Sequence, residues 1–400
     1  MPLRGSGPPS PLTRIVADAG LTGRGGAGFP TGTKMRAVAE RRGPAVVVGN
    51  GMEGEPASEK DQVLLSLAPH LVLDGLMLAA DAVGAAQAYL CLPDNRPWLA
   101  RAMLAALDER ERAGTDPLPV QVHTLPHRYV SSEETALVNW LSGGDAKPLG
   151  SSPRPAERGV GKKPTLIDNV ETLAHLALIA RYGPAWFRRA GHADAPGTML
   201  VTISGEVAAP GVYEIELGTL IGDVLALASP VGPIGGLLVG GYFGTWLDPR
   251  MAVDLPVTPQ ALRNAGASIG AGVLVVLPAS ACPLHEMARV LAYLAADSAG
   301  QCGPCTFGLP AIAGDFAELA TGRSRGAALQ RLERRLEVIA GRGACRLPDG
   351  AVRLASSALS TFTADVHAHV RHQPCQAVRY GGPARGVLPI PRPQAQERWQ

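Results

Sequence analysis

Short, almost wholly apolar runs alternate with longer amphipathic segments over the first half of the chain. Three of these runs, PAVVVGN (44–50), AQAYLCLP (86–93) and LPVQVHTLP (118–126), are typical of buried strands in a parallel sheet. Segments with helical spacing of apolar positions separate them, and Ser58 stands where a helix N-cap belongs. This order predicts a Rossmann-like α/β domain, an open sheet covered by helices, over residues 15–195.

The pattern changes twice further along the chain. Residues 196–278 hold two strand-like segments around the turn AAPG, then a short helix and more strands, which predicts a small ubiquitin-like α+β domain. Residues 282–372 hold four segments with apolar positions three and four apart, which predicts a C-terminal four-helix bundle. Residues 1–14 and 376–400, with the composition of linkers, predict a disordered leader and a disordered tail.

Charge and composition limit the possible functions. The 37 basic and 35 acidic residues leave a net charge of +2, so no strong field favours binding to nucleic acid or to an anionic membrane. The N-terminus lacks the apolar region of a secretory signal, and the apolar stretches are too interrupted for a transmembrane helix. We therefore expect a cytoplasmic protein whose six cysteines serve as thiols or metal ligands rather than in disulfides.

Glycine is concentrated near the N-terminus, in the segment GLTGRGGAGFPTGTK (20–34), where six of fifteen residues are glycine. Backbone of this kind can lie against a ligand and offer amide N–H groups to a phosphate, and Lys34 adds a positive charge. The segment is not a P-loop, because it lacks the GK[ST] ending and precedes the first predicted strand. Taken alone, it fits a flexible loop as well as a phosphate-binding turn.

Four segments together resemble one family. GRGGAGFPTGTK (23–34), NGMEGEPASEKD (50–61), SSEETAL (131–137) and KPTLIDNVETL (163–173) are similar, in order and spacing, to motifs of the flavin-carrying, NADH-binding subunit of respiratory complex I. The resemblance extends from about residue 14 to residue 365. It implies an FMN-binding first domain, an SLBB-type middle domain and an iron–sulfur-binding helical bundle in a divergent member of the family.

The resemblance also implies an FMN site. Carried over position by position, the residues that would hold the phosphate, the ribityl chain and the ring are Gly23, Arg24, Gly25, Gly26, Lys34, Asn50, Glu53, Glu133, Asp168, Asn169 and Thr172. Backbone donors, a cation and several hydrogen-bonding side chains suit a planar ligand with a dianionic phosphate. Three positions depart from the family: Met52 replaces an Asp, Ser132 a Gly, and Asp168 the first Asn of a pair.

A reduced nicotinamide nucleotide is the electron donor that the resemblance implies. Phe29 and Glu55 match positions that contact NADH, and Glu134 matches a carboxylate near the nicotinamide, which makes it the catalytic candidate. Ala37, however, replaces an aromatic residue, and residues 151–154 replace the family's KPPF segment. Each lost aromatic face removes about 1 kcal/mol or more of binding. NADH, NADPH and neither remain open as donors.

The helical bundle carries the candidate metal ligands. Where the family has SCGxCxPCR, this chain reads SAGQCGPCT, so Ala299 replaces the first cysteine. Cys302, Cys305 and the distal Cys345 remain, and by resemblance they would hold an iron–sulfur cluster. With three thiolates the cluster would be [3Fe–4S], or [4Fe–4S] with water, Asp297 or an outside ligand on the fourth iron.

Two other uses of the thiols remain open. Cys282, His285, Cys302 and Cys305 have the spacing of a Cys3His zinc site, and the thiols could also hold no metal. Cys375 could fold back toward the bundle, although its position in the sequence does not require it.

The mechanism implied by the resemblance is hydride transfer from NAD(P)H to FMN, followed by single-electron transfer to the cluster. A ferredoxin or a [2Fe–2S] subunit would then accept the electrons inside a larger redox complex at the inner face of the membrane. One alternative is a degenerate homologue that serves in binding or assembly. Another is a flavoprotein that takes electrons from a protein rather than from NADH.

Overall fold

The computed structural model describes residues 10–150, 153–322, 326–373, 375, 386–391 and 399, and its first domain is a parallel sheet covered by helices. The elements of this domain are α1 (Pro11–Ala19), α2 (Thr31–Ala39), β1 (Ala45–Asn50), α3 (Lys60–Leu67), α4 (Pro69–Val83), β2 (Ala85–Pro93), α5 (Pro97–Ala113), β3 (Val120–Leu125), α6 (Glu134–Leu141), α7 (Pro155–Arg158), β4 (Thr165–Asn169), α8 (Val170–Tyr182), α9 (Pro184–Phe187) and the hairpin β5 (Gly191–His192) with β6 (Ala195–Pro196). The large sheet has the order β3-β2-β1-β4 with every pair parallel, so the predicted Rossmann-like class is confirmed.

The strand order places a crevice at one edge of this sheet. The chain runs outward from β1 through β2 to β3, and β4 then returns to the other side of β1. Asn50 and Asn169, the last residues of β1 and β4, are paired in register. Ligands of open α/β sheets bind outside the carboxyl ends of the strands where the order reverses in this way. The sequence analysis did not predict β4, because its run TLIDN is short and half polar.

The second domain is a small α+β unit. Its elements are β7 (Thr198–Gly205), β8 (Gly211–Glu216), α10 (Ile221–Ala228), β9 (Ile234–Val239), β10 (Thr245–Leu247), α11 (Pro249–Ala252), α12 (Pro259–Asn264) and β11 (Val273–Pro278). The mixed sheet has the order β10-β9-β11-β7-β8, and only β11 with β7 is parallel. Apolar residues of β7, α10, β9 and β11 form its core, as predicted for an α+β domain.

The C-terminal domain is helical, with α13 (Pro283–Ala296), α14 (Leu309–Ala320), α15 (Ala327–Ile339), α16 (Leu347–Thr361) and α17 (Thr363–Val370). A π-helical turn at Pro304–Gly308 precedes α14. The last helix of the predicted four-helix bundle is broken at Phe362, which is almost fully buried and whose ring lies 5.2 Å from that of Trp246 in β10. This packing against the second domain separates α16 from α17.

Both predicted disordered ends need correction. Helix α1 begins at Pro11, since Ser10 accepts an amide hydrogen bond as its N-cap, so the leader reaches residue 9 at most; residues 1–9 lie outside the described chain. In the tail, the amide of Leu388 donates to Glu286 of α13 (3.0 Å), and the hydroxyl of Tyr242 donates to the carbonyl of Pro389. The carbonyl of Trp399 accepts from the amide of Ala146 at 3.0 Å. We call residues 386–391 and 399 the terminal strap.

Within the described residues, no single helix is both long and apolar enough to cross a membrane. Helices α3 and α4 pass that test only as a pair, with a bend of 97° between them.

Candidate functional site

A cavity of about 660 Å³ lies where the three domains meet, and this volume is typical of cofactor pockets, roughly 300–1,000 Å³. Its first-domain side, the α/β wall, contains Gly23, Gly25, Gly26, Phe29, Lys34, Asn50, Glu53, Glu55, Glu133, Glu134, Asp168, Asn169 and Thr172. Its helical-domain side, the bundle wall, contains Cys345, Arg346 and Arg353. The structure therefore brings together every residue predicted for FMN and NADH except Arg24.

The glycine-rich loop is held close to the end of β4. A Cβ atom on Gly25 would lie 3.2 Å from the Cβ of Asn169, and Gly26 has a φ of +114°, so both positions favour glycine. The amide of Arg24 donates to the hydroxyl of Thr172 at 2.9 Å. The buried Arg24 guanidinium instead donates to Thr22 and, at 3.0 Å, to the carbonyl of Thr198. This side chain anchors the loop to the second domain from behind.

Lys34 places one cation inside the cavity. Its ammonium group donates to the carboxylate of Glu134 and to the carbonyl of Ile167, and lies 3.7 Å from Asp168. Burial alone would lower the pKa of Lys34, but the two carboxylates outweigh it and raise that pKa. Burial raises the pKa of Asp168 to about 6, against the effect of Lys34. Its Oδ2 atom has no hydrogen-bond partner among the described residues, which leaves it available to a ligand.

A buried ion cluster supports the floor of this wall. The Lys60 side chain, 2% exposed, lies 2.6 Å from Asp61, 2.9 Å from Glu171 and 3.2 Å from the Oδ1 atom of Asn169. Burial opposes ionisation of Glu171, yet Lys60 and His175 hold its pKa at about 2. The sequence analysis quoted Lys60 within a motif but gave it no role; its place beside an acidic residue in that motif was the available signal.

Glu53 stabilises the turn that follows β1. Its carboxylate accepts hydrogen bonds from the Ser58 hydroxyl (2.8 Å), the Asp61 and Gln62 amides, and the Arg96 guanidinium (3.0 Å). Both carboxylate oxygens thus have protein partners. Glu53, rather than the predicted Ser58, satisfies the first amides of α3. Its contact with a flavin stays a prediction.

Two departures from the family lie at different places. Met52 is fully buried in an apolar cluster with Val48 and Leu137 and does not line the cavity. Ser132 does line it, and its carbonyl accepts from the Asn50 side-chain amide at 2.9 Å. The family carboxylate lost at Met52 therefore has no substitute at that position.

Glu55 connects the cavity to the other two domains. Its carboxylate accepts from the Tyr129 hydroxyl and the Tyr242 amide, both at 2.8 Å, and from the Ala57 amide at 3.2 Å. Burial raises the pKa of Glu55 to about 7, although these hydrogen bonds oppose the shift. The ring of Phe243 lies 4.7 Å from that of Tyr129 and also lines the cavity.

The positions predicted for the nicotinamide lie toward the opening. Phe29 is 45% exposed, Glu134 pairs with Lys34, and both line the cavity. Ala37 is exposed and is not among the lining residues. Of the segment that replaces KPPF, Ser151 and Ser152 lie outside the described residues.

The three predicted cluster thiols lie beside this cavity. Cys305 is buried, and Cys302 and Cys345 lie close enough to it to add to the effect of burial, which raises the pKa of Cys305 to about 12. Cys345 is in the bundle wall itself. Asp297, considered as a fourth ligand, is engaged elsewhere: it lies 2.9 Å from the Arg128 guanidinium and accepts from the Tyr129 amide at 2.6 Å.

The predicted Cys3His zinc set is wrong. His285 is exposed on α13, and Cys282 groups instead with His369 and Cys375. Among the residues that the structure describes, these three are the one set of His, Cys, Asp or Glu ligands placed closely enough for a single ion. A cluster is larger than one ion and holds its thiolates farther apart, so this finding leaves the Cys302, Cys305 and Cys345 prediction in place.

Sequence reasoning did not assign Tyr129, Phe243, Arg346 and Arg353, all of which line the cavity. For the two arginines a signal was present, because they flank the segment that follows Cys345. Tyr129 and Phe243 come from segments without a motif and meet the cavity only through the arrangement of the domains.

Comparison with known proteins agrees with this architecture. Residues 16–178 match the family model of the Nuo51 FMN-binding domain, residues 200–229 the SLBB domain, and residues 285–369 the NADH-ubiquinone oxidoreductase-F iron-sulfur binding region. The second F-type NADH-quinone oxidoreductase subunit of Rhizobium meliloti (strain 1021) is 32% identical, with 92% of this chain and 90% of the relative covered. The corresponding protein of Escherichia coli (strain K12) is 30% identical, with 91% and 85% covered.

A solved structure is similar over most of the fold. The crystal structure of an NAD+-reducing [NiFe]-hydrogenase in the H2-reduced state matches with a TM-score of 0.84 and 33% identity. The match covers 90% of this chain but 62% of the hydrogenase chain, which is therefore considerably longer.

Proposed function

Because the chain belongs to the NADH-ubiquinone oxidoreductase-F family, we propose that it is a flavin and iron–sulfur electron-transfer subunit that oxidises NADH. The observation that carries the proposal is the cavity. It brings a glycine-rich loop, a lysine and a candidate cluster thiol, Cys345, to one place. Electrons that enter at the α/β wall thus have a short route to the bundle.

FMN fits the groups of the α/β wall. The loop at Gly25 and Gly26 would bring backbone against the cofactor, and Lys34 supplies a cation. The unpartnered Oδ2 atom of Asp168 would accept a hydrogen bond from a ligand N–H. When bound, FMN supplies the chemistry that accepts a hydride and releases electrons singly.

The chain's own groups would orient the reactants and hold protons. Lys34 keeps Glu134, the catalytic candidate, fixed at the opening, while Phe29 offers an apolar face to the nicotinamide. Glu55 titrates near neutral pH, so it can exchange a proton with the cavity in the physiological range. Phe243 and Tyr129 reduce the access of water to the inner part of the cavity.

Cys302, Cys305 and Cys345 would hold the cluster. They supply three thiolates, and the position of Asp297 favours water or an outside group as the fourth ligand. An open iron of this kind is accessible to exchange, so the cluster would convert readily between four and three irons.

The relatives are subunits of larger assemblies, and a partner that accepts electrons follows for this chain. A groove beside the thiols supports an acidic ferredoxin or [2Fe–2S] subunit as that partner, because it combines the 75% exposed Phe307 with Arg334 and Arg342. Such a complex would place the chain on the cytoplasmic side, peripheral to the inner face of the membrane.

Anaerobic stopped-flow spectroscopy tests the proposal. Protein reconstituted with FMN, iron and sulfide is mixed with NADH or NADPH, and flavin bleaching is followed before cluster reduction. We expect NADH to reduce the flavin and Lys34→Met to abolish flavin retention, while Lys163→Met, at a partly exposed lysine outside the cavity, retains it. Flavin that stays oxidised in excess NADH and NADPH contradicts the dehydrogenase activity.

A second candidate, a non-catalytic assembly subunit, is favoured by the burial of Met52 in the apolar core and by the exposed Ala37. The same experiment separates the two. A colourless protein after addition of FMN supports the assembly role. Retained flavin that only a reduced ferredoxin can bleach supports a flavoprotein that takes electrons from a protein.

A further inference from the structure

A second group of metal-ligating side chains lies outside the cavity, at the base of the helical domain. Cys282 immediately precedes α13, His369 lies in the last turn of α17, and Cys375 follows that helix. None of the three lines the cavity. Cys282 and Cys375 also lie outside residues 285–369, the stretch that matches the iron–sulfur region of the family.

The spacing of the three groups suits one tetrahedral ion. The Sγ atom of Cys282 lies 3.5 Å from the Nε2 atom of His369, and the ligand atoms of all three residues lie within 4.8 Å of one another. Zinc with bonds of about 2.3 Å to sulfur and about 2.0 Å to nitrogen requires a sulfur–nitrogen separation of about 3.5 Å. The ligands therefore need little movement to close on an ion.

The surroundings favour a buried thiolate. Cys375 is 2% exposed and His369 8%, so neither group is freely solvated. The Sγ atom of Cys282 accepts hydrogen bonds from the amides of Leu284 and His285 in the first turn of a 14-residue helix. Amide donors and the positive end of a helix both stabilise a sulfur anion.

A carboxylate lies in position to support the histidine. Asp365 is one helical turn before His369 on α17; burial raises the pKa of Asp365, and the nearby imidazole opposes that shift. Metal-bound histidines commonly donate their second ring N–H to such a carboxylate, which fixes the ring and raises its affinity for metal.

We propose that Cys282, His369 and Cys375 bind one zinc ion, with water as the fourth ligand. Two thiolates and an imidazole are the donor set of structural zinc sites. The ion ties the segment after α17 to the beginning of α13 and so closes the helical domain on itself. Zinc has no redox chemistry, so the site stabilises the fold and takes no part in electron transfer.

Metal analysis of the full-length protein, purified anaerobically and dialysed against zinc, tests this site. We expect about one zinc per chain. His369→Ala and Cys375→Ser should lose that zinc and keep their iron. Cys302→Ser combined with Cys305→Ser should lose iron and keep zinc. Cys91→Ser, at a buried thiol of β2 remote from both groups, serves as the matched control and should keep both metals.

Cobalt binding to the metal-free wild type gives a second readout that does not depend on the folding of a variant. We expect thiolate-to-cobalt absorption bands with a tetrahedral visible spectrum, displaced by one equivalent of zinc. Asp365→Asn should weaken zinc binding by about 10- to 100-fold without abolishing it.

Three results would overturn the site. One is zinc that disappears in the Cys302→Ser, Cys305→Ser variant, since it would place the ion at the cluster thiols. Another is cobalt bands that persist in Cys375→Ser. The third is a Cys282–Cys375 disulfide found by mass spectrometry in anaerobic protein. Because zinc is counted apart from iron and flavin, failure of the proposed electron-transfer function leaves this result unaffected.

Discussion

The two walls of the cavity are built in different ways. On the α/β wall, charged groups neutralise one another within the protein: Lys60 lies between Asp61 and Glu171, and Lys34 pairs with Glu134. On the bundle wall, Arg346 and Arg353 are exposed, with one partner each given by Asp349 and the carbonyl of Phe243, and the thiol of Cys345 is only partly buried.

The difference separates a wall that the protein completes from one that a ligand completes. Buried charges are tolerated when each has its partner, as on the α/β wall. Three neighbouring thiols, one of them with a pKa raised to about 12 by burial, gain their partners only when a metal displaces the protons. We therefore expect damage to the bundle wall to remove metal, and damage to the α/β wall to reduce stability.

The largest expected effect is complete loss of iron from the Cys302→Ser, Cys305→Ser variant. Flavin affinity should change by less than about threefold, because the α/β wall does not depend on the cluster. Iron analysis and fluorescence titration with FMN measure the two quantities. Loss of flavin together with iron would contradict the independence of the walls.

Lys60→Met tests the opposite wall. It leaves two buried carboxylates without their cation, so we expect the free energy of unfolding to fall by about 3–5 kcal/mol while iron content is unchanged. Denaturant titration measures it. Lys163→Met, which removes one hydrogen bond to Gln87, is the control and should cost less than about 1 kcal/mol. Equal effects of the two changes would show that the ion cluster is not special.

Glu55, between the walls, should make stability depend on pH. Its pKa is about 7 in the folded protein against an ordinary 4.5, so the folded state binds its proton more tightly than the unfolded state. The contribution is fully present below pH 4.5, is lost as the pH rises through 7, and amounts to about 3 kcal/mol. Glu55→Gln should remove this change, measured as the difference in unfolding free energy between variant and wild type from pH 4.5 to 8. A pH-independent difference would contradict the shifted pKa.

Ala299→Cys should have the smallest effect and sharpens the account of the bundle wall. It restores the fourth thiol of the family pattern, so iron should rise from about three to about four per chain. EPR of the oxidised protein should lose its [3Fe–4S] signal. Ala299→Ser, which adds a hydroxyl of similar size, is the control. An unchanged iron count in the cysteine variant would show that residue 299 does not reach the cluster.

The sequence allowed the fold to be predicted where one segment suffices. The buried strands β1, β2 and β3 are apolar runs bounded by turns, and the glycine-rich motif lies at the crevice because parallel strands end on the same edge. The short β4 was missed since its residues 165–169 are mostly read as a motif. The break at Phe362 depends on Trp246, which sequence periodicity does not contain.

The site was predictable only as far as local motifs extend. Glu55 and Tyr129 are 74 residues apart, and their pairing exists only after the domains have assembled. Cys282 and His369 are 87 residues apart, so sequence spacing favoured the nearby His285, which faces solvent instead. Motifs identify which residues carry chemistry, and the tertiary fold decides which of them meet.

The terminal strap has a consequence for how the protein is made. Its residues touch α13 through Leu388, the second domain through Pro389, and the first domain through Trp399, whose ring also lies 5.2 Å from the Arg128 guanidinium. This segment leaves the ribosome after all three domains that it joins, and domains generally fold in order of synthesis. Nascent chains that are still being translated therefore lack these clasps, and insertion of cofactors can occur before the domains are fastened together.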